Sequence, residues 1–278
     1  CPPPRPARCC TRRPHSRPRA HPTDPLIWYL GPHAPSWLAR TTIPLFVSHA
    51  RLSRRPRQAL PRARAPWALD SGGFTQITTH GTYQCAPAAY ARAVARYAAD
   101  IGQLTWAAIQ DWMCEPAALQ ASGLSVAEHQ TRTIVSWYEL RTHAPQLPWL
   151  PVLQGWTTDD YLRHVDQYLT SGTDLTALPL VGVGTLCRRQ HTHAAAELLR
   201  RLHRDGLRLH AFGFKLKGLE RAFGAIQSCD SLAWSYHARR RPAHFADCTH
   251  RSCANCLRYA EHWYRSRVAA RAWQPALL

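Results

Sequence analysis

Lysine is almost missing from this chain. Only Lys215 and Lys217 occur among 278 residues, so the formal net charge of +18 rests on arginine. Long apolar runs are missing as well. None approaches the ~18–20 residues that a membrane-spanning helix requires, and no membrane role is expected. The opening stretch, CPPPRPARCCTRRPHSRPRAHP, has no apolar segment of the kind a secretory signal carries, and no initiator Met precedes it. Nothing there directs export, so the expected compartment is the cytoplasm. Pro and Arg at that density do not build a core. Residues 1–24 therefore read as a disordered basic arm or an artefact of gene assignment. The ten cysteines do not form a secreted disulfide framework. Cys85, Cys114, Cys187 and Cys229 are scattered singly, whereas Cys248, Cys253 and Cys256 cluster, which favours a metal over disulfides.

With 45% hydrophobic residues the chain can bury a large core, as one big domain or two smaller ones. Six Arg and one Asp give residues 1–24 a charge of +5, leaving +13 for the remainder. A basic folded part suits a phosphate backbone. Coding bias toward Arg, Ala and Pro would produce a similar charge without any such partner.

From residue 25 onward, short apolar runs alternate with longer stretches of helical spacing. The runs are 26–30, 43–47, 66–69, 104–109, 149–153, 178–183, 207–212 and 228–234. Helices are expected over 87–100, with Tyr90, Val94 and Tyr97 on one face, and over 125–143, 159–171 and 192–205. The second begins with a capping box, Ser125 and Glu128, ahead of Thr133, Val135, Trp137 and Leu140. Leu198, Leu199 and Leu202 form the apolar stripe of the last. Eight strands interleaved with helices predict an α/β fold, a (β/α)8 TIM barrel over 25–245. The Pro-rich GPHAPSW segment makes the alternation weakest between the first two strands. A doubly wound open sheet is the competing architecture, but no GxGxxG follows the first strand. Residues 246–278 are expected to hold a zinc knot and a C-terminal helix.

The polar residues at the strand ends carry the chemistry. Asp70 heads the turn Asp70-Ser71-Gly72-Gly73-Phe74, where the glycines permit positive φ and close backbone approach; the plainer role is a turn cap. Asp111 and Gln154 suit a purine edge, because a carboxylate accepts from ring N–H and amino groups while an amide donates to a carbonyl. Gly182, Val183 and Gly184 close the sixth run. Asp230, beside Leu232 and Trp234, is a candidate nucleophile, unless Arg239, Arg240 or Arg241 simply pairs with it. In a barrel all these ends converge on one mouth. Cys248, Cys253 and Cys256, with either His250 or His262, offer a tetrahedral site for a structural Zn²⁺.

These residues together resemble the tRNA-guanine transglycosylase superfamily over roughly 26–265. Asp70–Phe74 is similar to its DSGGFQ motif, and Leu153-Gln154-Gly155-Trp156 to its VQGG segment. Val181-Gly182-Val183-Gly184 is similar to its glycine-rich base-binding segment. The resemblance implies a zinc-containing barrel that exchanges guanine for a 7-deazaguanine base of the preQ0/preQ1 kind. It implies Asp230 as the nucleophile, Asp70 as general acid/base and Asp111 as the purine-reading carboxylate. Ser71, Phe74, Gln154 and the backbone N–H groups of Gly182–Gly184 would contact the base, with Phe74 or Trp112 stacking on it. Thr75 and Trp156 depart from the tRNA enzymes' pattern, as does the Cys248-x4-Cys253-x2-Cys256 spacing. The segments YLGPHAPSWLAR and CANCLRYA look like the branch that places deoxypurines in DNA. DNA is thus the expected acceptor, with tRNA as the alternative and a homodimer left open. A hydrolytic glycosylase and a catalytically silent nucleic-acid-binding subunit are the competing functions.

Overall fold

A computed structural model describes residues 26–56, 58–187, 189 and 192–270. The expected basic arm, 1–24, lies outside the described residues, as do the last eight residues of the expected C-terminal unit. The strands are β1 (Ile27–Leu30), β2 (Leu45–Ser48), β3 (Trp67–Asp70), β4 (Leu104–Ala108), β5 (Trp149–Leu150), β6 (Val152–Leu153), β7 (Val181–Val183), β8 (Leu209–Ala211) and β9 (Ser228–Ser231). All pair in parallel, in the order β5-β4-β3-β2-β1-β9-β8-β7-β6.

The two ends of that order are one segment. Only Pro151 separates β5 from β6, because a proline has no N–H to give to a ladder. Its carbonyl still accepts from Gly182 N at 2.8 Å, so the segment 149–153 pairs β4 on one side and β7 on the other. The sheet therefore closes into a TIM barrel, and the open-sheet alternative is excluded.

Side chains alternate across each strand with a period of two. Trp28 and Leu30, Leu45 and Val47, Trp67 and Leu69, and Leu209 and Ala211 join the core between sheet and helices. Tyr29, Phe46, Ala68, Trp106 and Leu150 fill the barrel interior instead. Helices Pro87–Ile101, Val126–His143, Thr158–Thr170 and His193–Arg204 cover the outside. The Ser125–Glu128 capping box forms as expected. Val135 does not join the buried face and is 47% exposed. It lies about 200° around the helix from Thr133, whereas Trp137 and Leu140 follow Thr133 at i+4 and i+7. Between β1 and β2 there is only the 3₁₀ turn Pro35–Ala39, and after β2 only the four-residue helix His49–Leu52.

After β9 the chain runs through helix Ala233–Ala238, a cysteine-bearing loop, helix Leu257–Tyr264 and a π-helical turn, Arg265–Ala269. This segment shares the barrel's core. Trp263 packs on Trp28 with ring centres 6.1 Å apart, and Ser235 Oγ donates to the Ala254 carbonyl at 2.8 Å. Among the described residues, no helix is long and apolar enough to cross a membrane.

Candidate active site

Strand parity decides which polar groups enter the mouth. Since Leu69, Leu153, Val183, Ala211 and Cys229 face the helices, their neighbours Asp70, Gln154, Gly184, Phe212 and Asp230 turn inward. They line a cleft of about 440 Å³ at the C-terminal ends of the strands, together with Asp111, Phe46, Phe74 and Glu115.

Both glycines after Asp70 have a geometric reason. Gly72 adopts φ 78°, and its N–H donates to Asp70 Oδ1 at 3.0 Å. At Gly73 a Cβ would collide with the Tyr83 hydroxyl. Ser71 Oγ accepts from Gly73 N at 3.3 Å and donates to Asp111 Oδ1 at 3.3 Å. Burial raises the pKa of Asp70, opposed by the Gly72 N–H and the Ser48 hydroxyl and reinforced by the charge of Asp230. The protonated form is thereby favoured, as a general acid requires.

Asp111 is pushed up to about 7, mainly by burial and then by the neighbouring Asp70 charge. Gln154 Nε2 donates to Asp111 Oδ2 at 2.5 Å, and Gln154 Oε1 accepts from Thr185 Oγ1 at 2.7 Å. Thr185, at φ 56°, accepts in turn from Cys114 N at 2.9 Å. A Cβ at Gly184 would collide with the Gln154 amide, so that glycine makes room for the amide.

Sequence reasoning gave Gly182, Val183 and Gly184 another role. The N–H groups of Gly182 and Gly184 are spent on the carbonyls of Pro151 and Leu153, at 2.8 and 2.9 Å, and hold the barrel together. Val183 is wholly buried among the helix-facing residues. These two amides therefore do not point at a ligand, because a central strand's ladder consumes them.

Asp230 Oδ1 accepts from Gly213 N at 2.8 Å and lies 3.4 Å from His210 Nε2. Among the described residues no arginine pairs with it, so the simple ion-pair alternative fails. Phe74 stands at the rim, 44% exposed. Trp112 does not reach the cleft; it packs against Tyr83 and His129 under the Arg132 guanidinium. Phe46 and Phe212 line the cleft in its place, with ring centres 5.9 Å apart. They escaped notice in the sequence, as did His210, Thr185, Tyr83 and Glu115. The period-two parity of β2 and β8 would have singled out the first three.

Three of the expected metal ligands converge. The ligand atoms of Cys248, His250 and Cys253 lie within 4.8 Å of one another, a group that could hold a metal ion. The two sulfurs are 3.9 Å apart, close to the roughly 3.8 Å that tetrahedral Zn–S bonds of about 2.3 Å imply. His250 Nε2 is 3.2 Å from Cys253 Sγ, and His244 N donates to that sulfur at 3.2 Å. Cys256 stays outside this compact group, at the N-cap of Leu257–Tyr264. His262 turns to the rings of His244 and Phe245. Of the two histidines, His250 is thus the one beside the thiols.

No curated protein matches the chain. One family model does, DpdA, described as DeoxyPurine in DNA protein A, over residues 26–277. That span takes in the barrel, its acidic mouth and the cysteine loop alike, and the chain belongs to the DpdA family.

Proposed function

We propose that this protein is a guanine transglycosylase of DNA, replacing guanine with a 7-deazaguanine base through a covalent Asp230-glycosyl intermediate. The observation that carries the proposal is the meeting of Asp70, Asp111, Gln154 and Asp230 in one cleft. The anomeric carbon is out of reach inside a duplex, so the target nucleotide must leave the stack. Asp111 accepts from the N1–H and amino group of the base, and Gln154 orients that carboxylate. Phe46 and Phe212 offer apolar walls. Asp230 attacks C1′ as the bond to guanine N9 breaks, and the Asp70 proton goes to the departing base. Asp70, now a carboxylate, takes the N9 proton of the incoming base, whose nitrogen displaces Asp230 from C1′. The cycle returns Asp70 protonated and Asp230 ionised, with one base exchanged for another.

Cys248, His250 and Cys253 would hold a zinc ion. Bound there, zinc supplies a structural clamp on the loop. None of the three lines the cleft, so no chemical step involves the ion.

The test is incorporation of a labelled 7-deazaguanine precursor into double-stranded DNA and into bulk tRNA, comparing wild type with Asp230→Asn. Label in DNA that disappears with the substitution is expected. Label in tRNA alone would overturn the acceptor, and no label in either would overturn the transglycosylase reading.

A further inference from the structure

Directly beneath the cleft, the barrel interior holds one polar ring among aromatic ones. His210 is wholly buried on β8. The rings of Trp106 and Phe212 meet it edge-on with centres 4.6 Å away, and those of Phe46 and Tyr29 lie at 5.8 and 6.0 Å. This cage fixes the imidazole plane. Among the described residues, two polar groups lie against its ring nitrogens: Ser228 Oγ, 2.9 Å from Nδ1, and Asp230 Oδ1, 3.4 Å from Nε2. At that distance Nε2 has no well-formed hydrogen bond, and a buried N–H so placed is costly unless it finds an acceptor.

Resting on the transglycosylase reading, we propose that His210 is a positioning residue for the nucleophile: as a neutral imidazole it donates from Nε2 to Asp230 Oδ1 and so presents Oδ2 to the sugar. The Gly213 N–H falls on the same oxygen at 2.8 Å. Both donors therefore converge on Oδ1, and among the described residues none reaches Oδ2. A carboxylate clamped by one oxygen cannot rotate to bring the wrong lone pair forward, which preserves the near-attack geometry. Contacts of this kind are often long before substrate binds and shorten in the reacting complex.

The neighbours also select the tautomer. Ser228 Oγ can donate its proton to Nδ1, which leaves the ring proton on Nε2, opposite Asp230. Burial lowers the pKa of His210, against the pull of Asp230, and so keeps the ring neutral. A neutral donor draws less charge from the carboxylate than a cation would, so the oxygen facing the sugar keeps its nucleophilic character.

Two measurements test this. The first compares steady-state exchange by His210→Phe, His210→Gln and Ser228→Ala with wild type. His210→Phe should lower kcat about 10- to 100-fold, the range expected for losing one hydrogen bond to a charged group, while KM for DNA and for the base stays within about twofold. His210→Gln, which retains an amide donor, should recover part of the loss, and Ser228→Ala should show a smaller fall in kcat. Wild-type kcat in His210→Phe, or equal losses in the Phe and Gln variants, would overturn the proposal.

The second measurement needs no activity. Long-range ¹H–¹⁵N spectra of the wild-type imidazole should show the Nε2–H tautomer at neutral pH, with its Nε2 resonance moved by Asp230→Asn. An Nδ1–H tautomer, or no response to Asp230→Asn, would overturn the contact even if the His210 variants fail to fold. A wild-type protein that exchanges no base would sink the transglycosylase reading on its own, leaving the spectra to judge the His210–Asp230 contact.

Discussion

Gln154 and Asp111 are locked to each other, with amide Nε2 2.5 Å from carboxylate Oδ2. The amide's other end is fixed by Thr185, so it has no freedom to flip. Replacing it with Gln154→Leu removes a donor to a buried carboxylate. Base affinity should fall about 10- to 100-fold, as for a lost charge-assisted hydrogen bond. Equilibrium dialysis with guanine would measure this, and unchanged affinity would show that Asp111 needs no such support.

The pH dependence follows from Asp111, whose pKa of about 7 exceeds its ordinary value of 3.8. In the proposed reaction its carboxylate form accepts from the base, so KM for the base should fall as pH rises through about 7. Stability has the opposite sign. Between those two values the native state holds a proton that the unfolded chain has lost, so stability declines as pH rises through that window. Melting of the ligand-free protein should therefore be highest on the acid side, and Asp111→Asn should flatten the profile. A wild-type melting temperature that climbs from pH 4 to 7 and stays parallel to the variant's would contradict the assignment.

Asp70→Asn separates activity from stability. The amide removes the buried carboxyl whose ionised form is disfavoured beside Asp230, so melting should hold or rise. Exchange should drop about 10²- to 10⁴-fold, the usual contribution of a general acid/base. A variant with normal turnover would exclude Asp70 from proton transfer.

Gly184→Ala introduces one methyl group where the Gln154 amide already sits. Overpacking of this kind costs about 1–3 kcal/mol, and relief by moving Gln154 would weaken base binding. Gly123→Ala is the control for backbone strain without crowding, because Gly123 has φ 70° and nothing within 4 Å of its Cβ position, whereas Gly184 has no positive φ. Equal base affinity in the two variants would refute the crowding argument.

Metal removal should loosen the end of the chain. Cys253 is buried, and the helix after it seats Trp263 on Trp28. Chelation or Cys253→Ser should lower the melting temperature by several degrees and shift tryptophan emission to the red. One equivalent of zinc per chain, lost in the variant, is the expected analysis. A metal-free protein with unchanged melting would remove the structural role.

The barrel was legible because each strand is an apolar run short enough to be nothing else, and because Ser125 and Glu128 mark a helix start unambiguously. Asp70 and Gln154 could be placed at the mouth since they follow those runs, and Asp230 since it interrupts the last one. Other features were hidden by the same uniformity. Phe46, His210 and Phe212 sit inside apolar runs, where composition does not separate the barrel interior from the helix-facing layer. Gly182 and Gly184 resembled ligand-binding amides, but their N–H groups belong to the ladder with Pro151 and Leu153. The choice of His250 over His262 depended on how Leu257–Tyr264 turns, which spacing alone does not fix.

The first strand is completed by the last. β1 pairs with β9 along all four residues, and Trp234 Nε1 donates to the Gly31 carbonyl across 203 positions of sequence. During synthesis at roughly 5–20 residues per second, one edge of β1 therefore stays open for tens of seconds after it leaves the ribosome. Closure of the cylinder also brings Asp230 to the mouth, because Asp230 lies on the closing strand. On the proposed mechanism, a nascent chain has no nucleophile in place until its barrel is shut. A chain halted before residue 228 would therefore present β1 with one edge unpaired.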